Sequence, residues 1–185
     1  MPRLNVGDKM PNFEFNTAYE DNLTIDGILK GKTVIWVLRY IGCTVCRYDV
    51  KLLTDRYEEF TNQGAQVLVL MQSDQEHVRN DFKNSNSEDT PVRIICDPEM
   101  KIYKALDILP AASMEELAGD ADSQAKLKEK GGKAREAGFV HGDYEGDEQQ
   151  LPALFVLDSD GVVLYSHYAK NIMDMPTIDE VLAII

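Results

Sequence analysis

The chain has 185 residues, 44% of them apolar and 28% charged, which is enough apolar side chain for one domain with a real core. A net charge of −13 argues against nucleic acid and anionic membrane surfaces as partners. No uncharged apolar run approaches the ~20 residues of a bilayer span, and the N-terminal stretch lacks an apolar signal core, so the expected location is cytoplasmic.

Taken in order, residues 1–30 read as an arm with turns at Gly7-Asp8 and Asp26-Gly27. Phe13 and Phe15 alternate around Glu14 as in a short strand, and Leu23-Thr-Ile25 can pair with it. Thr33 to Leu38 is uninterrupted and rich in β-branched residues, the pattern of a central strand buried on both faces. Gly42 permits a tight turn into Cys43-Thr-Val-Cys46. Tyr48, Leu52, Leu53, Tyr57 and Phe60 then recur at helical spacing, and Gln63-Gly64 closes that helix.

Gln66 to Met71 is a second buried strand, followed by a cap at Ser73 to Glu76 and a short helix through Phe82. Val92 to Cys96 is a third strand, stopped by Asp97-Pro98 before a helix over Glu99 to Leu106. Residues 107–150 are poor in large apolar side chains. They read as a mainly helical insertion, with a capping box at Ser113 to Glu116 and a helix interrupted at Gly131-Gly132. Leu151-Pro152 precedes a fourth strand, Ala153 to Leu157. Asp158 to Gly161 is a hairpin turn, Val162 to Tyr165 a fifth strand, and Pro176 opens the last helix. The alternating half implies parallel strands, with the hairpin as an antiparallel edge.

Two cysteines three positions apart at a helix start make a candidate redox dithiol. The first sulfur, on Cys43, is exposed at the helix N-terminus, where unpaired N–H groups favour the thiolate. The second, on Cys46, lies one turn in and can attack a mixed disulfide made by the first. The competing readings are half a zinc site or two inert core thiols. His77, His141 and His167 stand apart in the sequence, so no metal is expected, and no cofactor. Cys96 ends an apolar strand and reads as a buried structural thiol.

The element order, with the dithiol after a central strand, resembles the thioredoxin superfamily. Val6-Gly-Asp-Lys-Met-Pro-Asn-Phe13, Cys96-Asp-Pro98 with the helix after it, and Phe155-Val-Leu-Asp158-Ser-Asp-Gly161 resemble the AhpC/TSA, peroxiredoxin-type branch. The resemblance covers residues 1–106 and 151–185. It implies an α/β, thioredoxin-like fold over 1–185, a central mixed sheet flanked by helices, with 107–150 inserted before the last hairpin.

Two departures from the family pattern shape the expected chemistry. If Cys46 takes the peroxidatic place, Cys43 stands where that family has Thr or Ser, and the upstream proline is missing. Pro152 stands where the family has its second active-site arginine. Both parts that polarise a peroxide are then absent, which favours thiol–disulfide exchange by Cys43 and Cys46. The alternatives are a thiol peroxidase acting on hydroperoxides and a redox-sensing interaction module. Pro152 holds the place of the cis-proline that faces the dithiol in thioredoxins, leaving the Leu151 backbone to pair with substrate. Gly42 and Thr44 complete the expected substrate-binding set. Arg39, Arg47 and His141 are candidate modulators, the arginines through charge and His141 as a proton shuttle if the insertion folds over the pair. The expected partners are protein or small-molecule disulfides or peroxides and an unidentified reductant, with homodimerisation open.

Overall fold

The computed structural model describes residues 2–185. Among them, seven strands form one sheet: β1 (Glu14–Thr17), β2 (Leu23–Thr24), β3 (Lys32–Val37), β4 (Ala65–Met71), β5 (Arg93–Cys96), β6 (Ala153–Leu157) and β7 (Val163–Tyr168). Their spatial order is β2-β1-β5-β4-β3-β6-β7. β3, β4 and β5 are parallel, β6 and β7 run antiparallel on one side, and β1 runs antiparallel to β5 on the other. Eight helices accompany them: α1 (Ile25–Ile28), α2 (Thr44–Asp55), α3 (Tyr57–Thr61), α4 (Gln75–Asn84), α5 (Lys101–Ala105), α6 (Met114–Ala118), α7 (Ala121–Glu136) and α8 (Ile178–Ile184). None is long and apolar enough to cross a membrane.

The sheet is covered on both faces, which explains why β3 shows no alternation in its sequence. Val34 and Trp36 join one core cluster, with Val50 and Leu53 of α2 and Val181 of α8. Ile35 and Val37 join the other, with Ile102 and Tyr103 of α5. Each large apolar side chain so buried contributes on the order of 2 kcal/mol. The Tyr103 hydroxyl donates to Leu38 O at 2.6 Å and lies 3.1 Å from Leu70 O, which shares its one proton. That contact fixes the exits of β3 and β4, where the site begins.

Local chemistry shifts several expected boundaries. The helix expected from Cys46 through Phe60 breaks at Arg56, just after Thr54, whose Oγ1 bonds back to Val50 O at 2.8 Å, a contact that bends helices. α5 starts later than expected because the Asp97 carboxylate accepts from the amides of Lys101 and Ile102 while Met100 is left-handed at φ 55°. α7 runs through Gly131-Gly132, with Gly131 and Ala134 buried, and packs on α2. The last helix is opened by Thr177, which shares a capping box with Glu180, one residue after Pro176.

α2 and α4 are tied by a buried arginine. The Arg47 side chain is 3% exposed and pairs with Asp81. Its Nη2 donates to Ser85 Oγ and Ser87 Oγ, both at 2.8 Å. The guanidinium lies over Phe139, 4.6 Å from the ring centre. Removing one partner of a fully buried pair costs roughly 3–5 kcal/mol, and Asp81 keeps some water, so Arg47→Ala should cost about 2 kcal/mol. Urea unfolding checks this, and a loss under about 0.5 kcal/mol would place the tie among surface ion pairs.

Candidate active site

β3 leaves the sheet at Val37, and Leu38 to Gly42 carry the chain to α2. Cys43 caps that helix: its backbone is extended, its N–H donates to Tyr40 O at 3.1 Å, and its Sγ accepts from the Cys46 N–H at 3.3 Å. The helix dipole and the free first-turn amides therefore converge on the first sulfur. The second sulfur is one turn on. The two Sγ atoms lie within bonding reach, with Cα atoms 5.2 Å apart.

Sequence reasoning leaves the first sulfur exposed; the structure does not. Cys43 is 0% and Cys46 2% exposed. Residues 139–148 lie across the turn as a cover, and Leu117, Leu127 and Ile172 line the space beside Cys43 together with His141. The Gly142 N–H donates to Gly42 O at 2.8 Å, and the backbone of Asp143 sits where a Gly42 Cβ would be. Gln72 at the end of β4 holds the Asp147 backbone, accepting from its N–H at 2.6 Å and donating to its carbonyl at 3.2 Å. Ser73 accepts from the Ile41 N–H at 2.8 Å and donates to the Glu145 carboxylate at 2.6 Å.

Arg39 joins cover and dithiol. Its Nη2 donates to Cys43 Sγ at 3.0 Å, and its Nη1 to Glu148 O at 2.7 Å. Burial pulls the guanidinium below its ordinary pKa, opposed by the nearby Tyr40, Glu148 and Tyr144 side chains. His141 lies 3.2 Å from the Tyr40 hydroxyl and packs against Tyr144, ring centres 4.3 Å apart. A cavity of about 220 Å³ reaches Cys43 between His141, Thr44, Leu117 and Ile172. Its walls are mainly apolar, so it offers shape and desolvation more than hydrogen bonds.

Around the second sulfur, Cys46, Asp49, Lys130 and Pro152 line one small space. Lys130 Nζ pairs with the Asp49 carboxylate at 2.6 Å, fastening α7 to α2. Burial raises the Asp49 carboxyl above the usual range, and Lys130 opposes that rise. Pro152 is buried beside this space, and its carbonyl accepts from the Ala169 N–H at 3.1 Å. No cis peptide bond occurs among the described residues, so the Leu151–Pro152 bond is trans, correcting the cis expectation. The trans isomer is the intrinsic preference of X–Pro bonds. Here the chain enters β6 from the bridge between Pro110 and Gln150, without a tight turn at the proline. Leu151 is partly buried against the core.

The structure thus brings Cys43, Cys46, Gly42, Thr44, Arg39, His141 and Pro152 to one place. Arg47 directs its donors to Asp81, Ser85 and Ser87 instead. Burial, with the charges of Asp74 and Glu145, pushes the Cys96 thiol up to about 12, so it stays protonated and inert at neutral pH. Sequence reasoning missed Gln72, Ser73, Glu145 and Glu148 as anchors of the cover. Their partners are some 70 to 110 positions away, and no local pattern records such pairs.

A family model described as the AhpC/TSA family matches residues 6–166. In structure the chain is similar to a peroxiredoxin-like protein from Aquifex aeolicus, with TM-score 0.65 and 17% identity over 99% of this chain and 86% of that one. It is also similar to a yeast mitochondrial 1-Cys peroxiredoxin, with TM-score 0.67 and 16% identity over 97% of this chain and 73% of that one. For peroxiredoxin 6 of Arenicola marina, in a mutant form, the TM-score is 0.68 and the identity 14%, over 98% and 72% of the two chains. No curated protein matches the chain at a significant level. At such identities the solved structures speak for the fold, which is thioredoxin-like with a mixed sheet between helices. The family match runs through the dithiol turn and all but the end of the sheet, and by it the chain belongs to the AhpC/TSA family of peroxiredoxin-like thiol oxidoreductases.

Proposed function

We propose that the protein is a thiol–disulfide oxidoreductase in which Cys43 attacks and Cys46 resolves. The observation that carries this reading is the pair itself. One sulfur caps α2 with a guanidinium 3.0 Å away, and the other is within bonding reach one turn on. The Cys43 thiolate attacks one sulfur of a substrate disulfide, forming a mixed disulfide and expelling one substrate thiolate, which takes up a proton. Cys46 gives up its proton and attacks Cys43 Sγ. The second substrate thiolate leaves, and the enzyme pair is oxidised by two electrons. An external dithiol or glutathione-type reductant returns it to the thiol form.

Family membership favours a second reading on the same two sulfurs. A hydroperoxide would oxidise the Cys43 thiolate to a sulfenate and leave as the alcohol or water. Cys46 would then displace hydroxide to form the same disulfide. The yeast relative is described as resolved through glutathione and thioredoxin systems, which makes those reductants the first to try here. Reduction of a protein disulfide and consumption of hydrogen peroxide, measured on one sample, separate the two readings.

Under the proposal, Cys43→Ser abolishes disulfide reduction, while Cys46→Ser accumulates a mixed disulfide with substrate, visible as added mass under non-reducing conditions. If Cys43→Ser and Cys46→Ser both leave every activity and partner binding intact, the exchange reading falls and the interaction-module reading stands.

The Arg39 charge should favour the Cys43 thiolate. Arg39→Met should therefore slow alkylation of the reduced protein at pH 7 by about tenfold, the effect of one pKa unit, with Arg39→Lys intermediate. Equal alkylation rates across pH 5 to 9 would remove Arg39 from the mechanism.

Because the Asp143 backbone fills the space a Gly42 Cβ needs, Gly42→Ala should displace the cover. Faster proteolysis within residues 139–148 at little cost in global stability is the expected result. An unchanged cleavage rate would show that the contact is not what seats the cover.

A further inference from the structure

The cover meets the body of the protein a second time, away from the sulfurs, in a cluster that the redox chemistry does not use. Asp74 and His77 stand at the start of α4, and Glu145 reaches them from the cover. His77 Nδ1 is buried at the edge of a side chain that is 39% exposed, and it faces two carboxylates. It lies 3.0 Å from Asp74 Oδ1 and 3.5 Å from Glu145 Oε1. Ligand atoms about a metal at ~2.1 Å are spaced about 3.0 Å in octahedral and about 3.4 Å in tetrahedral geometry. The two separations lie near these values, and all three ligand atoms fall within 4.8 Å of one another.

The rest of the surroundings suits a ligand histidine. The exposed Asp143 carboxylate lies 3.5 Å from His77 Nε2, on the side of the ring away from Asp74 and Glu145. Ser73 holds the far oxygen of Glu145 at 2.6 Å. The Glu145 side chain is 10% exposed. Two carboxylates share the site with one imidazole, and a cation binding there competes with a proton on His77. A cavity of about 440 Å³ opens on His77, Asp143 and Glu145, giving an entry path and room for water ligands.

From this geometry we propose that Asp74, His77 and Glu145 form a site for a divalent transition-metal ion of the Zn²⁺ or Mn²⁺ class. One nitrogen and two oxygens suit such ions better than an all-oxygen Mg²⁺ site does. Since Glu145 belongs to the cover and the other two ligands to α4, a bound ion clamps the cover shut over the dithiol turn. The proposal is independent of which redox reaction the sulfurs carry out.

The test is calorimetric titration of the full chain in its oxidised form, so that Cys43 and Cys46 are not free thiolate ligands, with Zn²⁺, Mn²⁺ and Mg²⁺. One equivalent of Zn²⁺ or Mn²⁺ is expected per chain, bound more tightly than Mg²⁺. His77→Ala and Glu145→Gln should each weaken binding at least about tenfold, the scale on which even outer partners of a metal ligand act. The double variant Cys43→Ser, Cys46→Ser should bind as the wild type does. Hydrogen exchange in residues 142–147 should slow with metal in the wild type and not in Glu145→Gln, which preserves the shape of the site if His77→Ala folds poorly. Absence of one-equivalent binding, undiminished affinity in both site variants, or loss of binding in the cysteine double variant overturns the site. Metal bound with no change in exchange overturns the clamp.

Discussion

The contact between Gly42 and Gly142 governs what the dithiol can meet. Two backbones approach there at a distance that only glycine allows, and the approach closes the insertion over a turn that would otherwise open to water. The other anchors depend on that fit. Gln72, Ser73 and Arg39 are polar groups at the ends of buried strands, and each finds its partner in the cover because the glycines bring it within reach. An unsatisfied buried polar group costs about 1–3 kcal/mol, so the anchors favour closure jointly. None of them is strong alone.

The electrostatics follow from the same closure. The chain carries 32 acidic against 19 basic residues, and the cover itself contributes Asp143, Glu145, Asp147 and Glu148. A thiolate among such charges needs a nearby cation. Arg39 supplies it from inside, where little water screens it. At the other sulfur the half-buried Asp49–Lys130 pair contributes no net charge but fixes α7 against α2. The insertion thus builds walls on both sides of the dithiol.

Much of the sheet was legible in the sequence because its signals are local. Runs such as Val34 to Val37 and Val67 to Met71 are short, apolar and rich in β-branched residues, the pattern of doubly covered strands, and the run Ala153 to Leu157 coincides with β6. The dithiol was legible from its spacing and from the turn before it. Burial of Cys43 was not, since it depends on distant residues, Leu117, Leu127, His141 and Ile172 among them, that leave no trace in the turn itself. The trans Leu151–Pro152 bond shows the opposite failure: a resemblance overrode an intrinsic preference that the chain in fact obeys. The reach of Glu145 to His77 was hidden for the same reason as the cover, because histidines scattered in sequence can still converge with carboxylates in space.

Arg39 carries a further consequence. One of its hydrogen bonds ends on the cover's Glu148 carbonyl and another on the Cys43 sulfur, so the same side chain senses both. Swinging the cover aside removes the carbonyl that orients the guanidinium and lets water in around the charge. On the proposed reading, in which Cys43 attacks, reachability and nucleophilic readiness of that sulfur are therefore antagonistic. A small reagent threading the apolar passage meets a primed atom, whereas a bulky one that must push the roof open meets a duller one.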